Sequence, residues 1–394
     1  MTKQRETGPD RLRALAAFFV VGIHLFPLIV DLNAGRPDVS YFAELFCYAL
    51  VFCAVNCFGL LSGYLGYREE NNLPRVSALI VLWLQFLFYR VVFLLLPMLA
   101  GLAEPISLAD IFLPLTRRAN WYMSCYFELM LFAPLLNLVI RRIPRGLNAL
   151  MCAVLFVLST AAALLRGLTH CDPFLLSDGY SWMWLGFLYF WGASVKKHGW
   201  GRTLSARTLW KLILGALLLM AGWRFLMQVF FLSPAFPWIP DKLFPGRFPW
   251  LPRPPLPAES FPGRTEKIFY SYPSPTAVIP ALCLLLLHLR IKPGRRDAPV
   301  SKLSSAALGV FLLHTTVYGW LLVPHMELLR PFHAPWGVVN ALLSSFAVAL
   351  LCVPVDLLRA RLFRLLGVKK IADRIQAWVF ARGERFCARF ETEP

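Results

Sequence analysis

Apolar runs of bilayer length recur along nearly the whole chain, at about 11–31, 40–66, 75–100, 121–140, 147–166, 181–196, 207–232, 275–290, 303–324 and 336–358. Hydrocarbon offers backbone N–H and C=O groups no water, so a chain that crosses it this often must satisfy them within each segment, as helix. The pattern predicts an all-α fold, a polytopic membrane bundle of about ten transmembrane helices. Composition agrees, with 58% hydrophobic and 16% charged residues and a mean hydropathy of +0.59. One long polar interruption, 233–275, leaves no room for a separate globular module, so residues 1–358 read as one membrane domain. Residues 359–394 read as a basic amphipathic tail on the cytoplasmic surface, with Phe363, Leu366, Ile371, Ile375, Trp378 and Val379 on its apolar side.

Charge sets the orientation. On this segmentation 28 lysines and arginines fall on the side of the N-terminus and ten on the other, while Arg90 and Arg224 lie within spans. Basic residues concentrate in cytoplasmic loops, so both termini are expected in the cytoplasm of a cell-membrane protein. The net charge of +18 then reflects topology and attraction to anionic lipids. It is divided among loops rather than gathered into an aromatic-interleaved surface, so no nucleic-acid partner is expected. The first apolar run is too long, and too close to Arg11 and Arg13, for a cleavable signal peptide. Seven of the nine cysteines fall within spans and only Cys171 in an external loop, which argues against a disulfide framework; no metal-ligand spacing is present.

Ionisable residues inside the spans are the candidates for function, because burying them in a membrane is expensive. Arg13 and His24 lie eleven residues apart in the first run, so on a helix they differ by about 20° in direction and about 16 Å in height. An arginine at the membrane mouth can hold phosphates, and an imidazole three turns deeper can take a proton from a hydroxyl. The same pair serves equally a snorkelling arginine and a histidine bonded to a backbone carbonyl. His314, deep in the ninth run, either orients His24 or substrate or makes a helix–helix hydrogen bond. Arg90 and Glu128 are expected to form a structural buried pair. Between Pro234 and Pro262 ten prolines fall among 29 residues, with Phe236, Trp238, Phe244, Phe248, Trp250 and Phe261 between them, a pattern that suits an interfacial aromatic belt better than a sugar-binding shelf.

Several segments in order resemble the membrane acyltransferase family called acyltransferase 3. DRLRALAAFFVVGIHLF is similar to its arginine, ten residues, histidine opening, with Asp10 where an acidic residue often precedes the arginine. NCFGLLSGYLGY matches through Phe58, Ser62, Gly63 and Tyr64, and NWYMSCYFELMLFAPLLN through Trp121, Tyr122, Tyr126, Pro134 and Asn137. Weaker likenesses follow at FLYFWGASVKK, YSYPSPTAVIPALCL, LSSAALGVFLLHTT with His314, and VDLLRARLF with Asp356 and Arg359. The chain departs from the family where EENN separates Arg68 from Arg75 in place of a denser basic cluster, and where Glu128 replaces an apolar residue. No esterase-like domain follows the last run, as in the stand-alone form.

The resemblance implies an O-acyltransferase that uses acetyl-CoA or another acyl-CoA as co-substrate, without a metal, to acylate a hydroxyl of a cell-surface polysaccharide or lipid-linked glycan. Arg13, Arg75, Arg68 and Ser62 would then hold the donor at the basic rim. His24 would act as general base or, second, become transiently acylated, with Tyr122, Ser62 or a backbone N–H facing the oxyanion and His314 orienting His24. Duller roles compete at several positions: Ser62 and Gly63 for close helix approach, Trp121 and Tyr122 for interfacial anchoring. Two other functions fit the same spans, a transporter or flippase of an anionic envelope precursor and a non-catalytic assembly partner. No repeat relates the two halves, which disfavours a secondary-transporter fold.

Overall fold

The computed structural model describes residues 6–69, 74–101, 107–113, 120–169, 171–172, 174–231, 268–294, 297–321 and 336–391. Among them no strand occurs, and helix forms at every one of the ten apolar runs. The helices are α1 (Thr7–Ile29), α2 (Val39–Phe52), α3 (Ala54–Gly66), α4 (Val76–Arg90), α5 (Leu96–Leu99), α6 (Leu108–Phe112), α7 (Trp121–Arg142), α8 (Arg145–Thr169), α9 (Trp182–His198), α10 (Ala206–Leu226), α11 (Pro275–His288), α12 (Asp297–Leu321), α13 (Gly337–Leu365) and α14 (Val368–Glu391). A π-helical turn, Val91–Leu95, joins α4 to α5, and another, Met227–Phe231, follows α10.

Local chemistry sets many of the starts. Asp38, Asn120, Ser181 and Ser205 each accept a backbone N–H from the first turn of α2, α7, α9 and α10, satisfying donors that a helix start leaves orphaned. At the end of α7 the ammonium of Lys197 donates to the Ile140 and Arg141 carbonyls at 2.7 and 2.8 Å, where the helix dipole favours a cation.

Seven helical segments among the described residues are long and apolar enough to cross a membrane: Thr7–Ile29, Val39–Gly66, Val76–Leu99, Trp121–Arg142, Arg145–Leu168, Ala206–Val229 and Gly337–Leu365. The count falls short of the ten expected. α9 and α11 have only 17 and 14 residues, and both lie mostly buried within the bundle, so their hydropathy records contact with other helices rather than with lipid. α12 begins at Asp297, in the polar stretch DAPVSK ahead of the expected run. The loop at 233–275 falls mostly on 232–267, outside the described residues.

α1 is the central post, packed against α2, α3, α11, α12 and α13. Around it, α3 lies along α9, α10 along α2 and α11, and α7 along α9. The α3–α9 approach depends on two glycines. A Cβ on Gly63 would collide with the Tyr189 carbonyl, and one on Gly192 with that of Leu60, so backbone meets backbone there. Helix α13 runs unbroken past residue 358, and the tail helix α14 folds back onto α4. It docks through Ala372 and through bonds from Ser77 to Asp373 and Gln376, while Ile371, Ile375 and Trp378 stay exposed with the basic residues.

Candidate active site

The shared face read for Arg13 and His24 is the face α1 turns to α12. At the N-terminal end, Arg13 Nη1 donates to Ser304 Oγ at 3.4 Å and lies 3.7 Å from the Asp10 carboxylate, and Ser304 donates to that carboxylate at 2.9 Å. Ten residues further along α12, His314 Nε2 lies 3.1 Å from His24 Nδ1. The rings are 4.8 Å apart.

Partners of the two imidazoles favour one pair of tautomers. His314 Nδ1 faces the Val310 carbonyl at 3.1 Å and His24 Nδ1 faces that of Val20 at 3.0 Å. A carbonyl oxygen only accepts, so we assign hydrogen to both Nδ1 atoms; the single His24 Nδ1–H is then shared between the Val20 carbonyl and the lone pair of His314 Nε2. His24 Nε2 is then the acceptor nitrogen. His314 is 1% exposed, while His24 is accessible between buried Ile23 and Leu25, as is Pro27 one turn on.

A cavity of about 450 Å³ opens on the face that carries the N-terminus. Arg13, Arg68, Arg75, Ser304 and Asn137 line its outer part, and Ser62, Leu129 and Leu308 its middle. At its inner end lie Phe58, Tyr122 and Phe311, the last two rings 5.1 Å apart. Four expected donor residues (Arg13, Arg68, Arg75, Ser62) and Tyr122 therefore share one wall. Arg75 sits at the N-terminus of α4, where burial and the neighbouring Arg68 hold its pKa below the usual arginine value. Ser62 spends its hydroxyl hydrogen on the Phe58 carbonyl at 2.7 Å, which leaves lone pairs rather than a donor facing the cavity. His24 and His314 do not line this space. Phe311 stands between, its ring 6.0 Å from that of His314.

Two contributors to the wall were not legible in the sequence. Gln376 and Phe380 of α14 line the mouth, so the tail closes the cavity as well as offering a surface to lipid. Asn137 ties the rim together, donating to the Gly66 carbonyl at 3.2 Å and accepting from the Tyr189 hydroxyl at 3.0 Å. Asp356, 1% exposed, accepts from Gln85, Tyr89 and Arg359 and presses against Gly309 of α12. That network ties α4, α12 and α13 together without touching the cavity.

The expected Arg90–Glu128 pair is not formed: Arg90 Nη2 donates to the Asp110 carbonyl at 3.0 Å instead, because the π-helical turn beyond Arg90 is where α4 meets α6. At the face opposite the N-terminus, Arg224 lies 4.7 Å from the Tyr270 ring and donates to Asn33 Oδ1 at 3.0 Å. Nearby, Trp121 stacks against Tyr272, and the Tyr180 ring meets it at a tilt of 57°.

The family model described as an acyltransferase domain, that of acyltransferase 3, matches the chain over residues 6–354, from about two turns before Arg13 to two residues before Asp356. The chain belongs to the acyltransferase 3 family. With its apolar helices, this makes it a multi-pass membrane acyltransferase. No curated protein and no solved structure matches the acyltransferase. The family match covers the helices that carry Arg13, His24, Tyr122 and His314, and ends before the α14 residues at the cavity mouth.

Proposed function

We propose that this acyltransferase moves an acyl group, acetyl in the first instance, from acyl-CoA to a hydroxyl of a cell-surface polysaccharide or lipid-linked glycan. It would do so in the cell membrane with about ten crossings and both termini cytoplasmic. The observation that carries the chemistry is the contact of His314 Nε2 with His24 Nδ1 at 3.1 Å; with hydrogen assigned to both Nδ1 atoms, His24 Nε2 is the proton acceptor. The donor's phosphates meet Arg13, Arg68 and Arg75 at the rim, since guanidinium groups bind phosphate oxygens in pairs, and its apolar arm enters toward Tyr122.

In the reaction His24 Nε2 takes the acceptor's hydroxyl proton as the hydroxyl oxygen attacks the thioester carbonyl carbon. The tetrahedral intermediate collapses by breaking the C–S bond, and the leaving thiolate takes the proton from His24, giving ester and free CoA. His314 accepts from Nδ1–H throughout, which holds the ring and stabilises the imidazolium that forms transiently. Tyr122, one of the residues lining the donor cavity, supplies a hydroxyl for the developing oxyanion. Phe311 must move for the acyl group to reach His24.

The test is transfer of labelled acetyl from acetyl-CoA into envelope glycans and lipids of membranes holding wild type, His24→Ala or no protein. Label only with wild type, at matched protein levels, is the expected result. Equal label in all three samples, with envelope composition still altered by deletion, would put transport in its place.

A further inference from the structure

A second cavity, of about 370 Å³, lies beyond the inner end of the first. The two meet along shared elements: Phe311 lines one and Thr315, a turn later on the same side of α12, the other; Tyr122 lines one and Asn120 the other. Tyr122 and Phe311, their rings 5.1 Å apart, line the first cavity only, and the His314 ring lies 6.0 Å from that of Phe311. A donor thioester arriving through the first cavity and a hydroxyl arriving through the second would therefore meet next to the histidine pair.

The second cavity is not neutral. Arg90 lines it, at the point where α4 passes into the π-helical turn Val91–Leu95, an irregularity that recurs at functional sites because it re-aims side chains. A guanidinium is never neutralised at ordinary pH, and placing one inside an apolar helix is costly. One carbonyl, that of Asp110, holds Nη2 at 3.0 Å, and Nε is buried with no hydrogen-bond partner among the described residues. The Asp110 carboxylate offsets part of the charge from the same side. Thr315, Thr316 and Asn120 add small polar groups suited to hydroxyls.

We infer that this cavity is the acceptor site and that Arg90 selects acceptors carrying an anionic group, a carboxylate or phosphate, near the hydroxyl to be acylated. The inference rests on the acyltransferase reading above, which leaves the acceptor's charge open.

The experiment is equilibrium binding of three labelled probes, methyl glucuronide, methyl glucoside 6-phosphate and neutral methyl glucoside, to the full chain in lipid nanodiscs. The same preparation is assayed for acetyl transfer from acetyl-CoA. Wild type should bind at least one anionic probe tenfold or more tighter than methyl glucoside. Arg90→Gln should erase that preference, and Arg90→Lys, which keeps the charge and guards against misfolding, should retain part of it. Equal or absent binding of the three probes to wild type, or a preference that survives Arg90→Gln, overturns the inference. An Arg90-dependent preference without any acetyl transfer leaves the anion site standing and removes the transferase reading. Transfer without the preference does the reverse.

Discussion

At the scale of single residues, the chemistry narrows to which nitrogen of each histidine carries hydrogen. His314 touches His24 and lines neither cavity, so the role proposed for it is positioning. Replacing it with alanine should lower kcat by part of the roughly 10²–10⁴-fold that general-base catalysis contributes, with the acetyl-CoA KM unchanged. His314→Gln, whose amide oxygen can accept from His24 Nδ1–H, should recover part of that loss; a loss that appears in KM, or no rescue, would make His314 a packing residue. Asp297 gives a residue-scale test on stability. It accepts from Gly294 N–H at 2.6 Å, from Thr7 Oγ at 3.0 Å and from Arg11 at 3.0 Å, and those bonds, led by the backbone one, hold its pKa below the usual carboxylate value. A depressed pKa means its contribution is complete above the unfolded value of about 3.9 and fades as pH falls through the folded one. Detergent melting curves should therefore drop less between neutral and acid pH for Asp297→Asn than for wild type.

At the scale of elements, the tail shows how an amphipathic pattern can hide a second role. Its sequence advertises lipid, through Ile371, Ile375 and Trp378, all exposed. Its other side, with Ala372 buried and Gln376 and Phe380 on the cavity wall, closes the space where the donor would sit. Removing residues 368–394 should leave the bundle inserted, since helices α1 to α13 keep their mutual contacts. The acetyl-CoA KM should rise severalfold as the mouth opens to water, and an unchanged KM would return the tail to a pure anchor. Hydropathy alone leaves the surroundings of α9 and α11 open for a related reason: apolar residues face other helices as readily as lipid, and only the packing tells which.

At the scale of the whole molecule, the first cavity opens on the face of the N-terminus, so orientation decides from which compartment the proposed acyl-CoA donor would enter. Cys171 is exposed at the opposite end of the bundle, between α8 and α9. A membrane-impermeant thiol reagent should reach Cys171 in intact cells. In a Cys171→Ser/Cys387→Ser background, Leu65→Cys at the cavity wall should react only in inside-out vesicles, and more slowly with acetyl-CoA present. Labelling of Leu65→Cys in intact cells would invert the topology.

The sequence by itself determined that the chain is helical and membrane-spanning, because repeated apolar runs admit no other way to satisfy the backbone. It also placed Arg13 and His24 on one face, since helical periodicity is a local property, and the ordered segments from DRLRAL to LSSAALGVFLLHTT carried the family. Only the tertiary structure decided that His314, 290 residues further along the chain, sits against His24, that Arg90 turns to Asp110 and not Glu128, and that Gln376 returns from the tail to a cavity begun by Arg13. Those pairings depend on which helix faces which and at what height. Contacts between Gly63 and Tyr189 or between Asp356 and Gly309 set that, and no short window of the chain contains both partners.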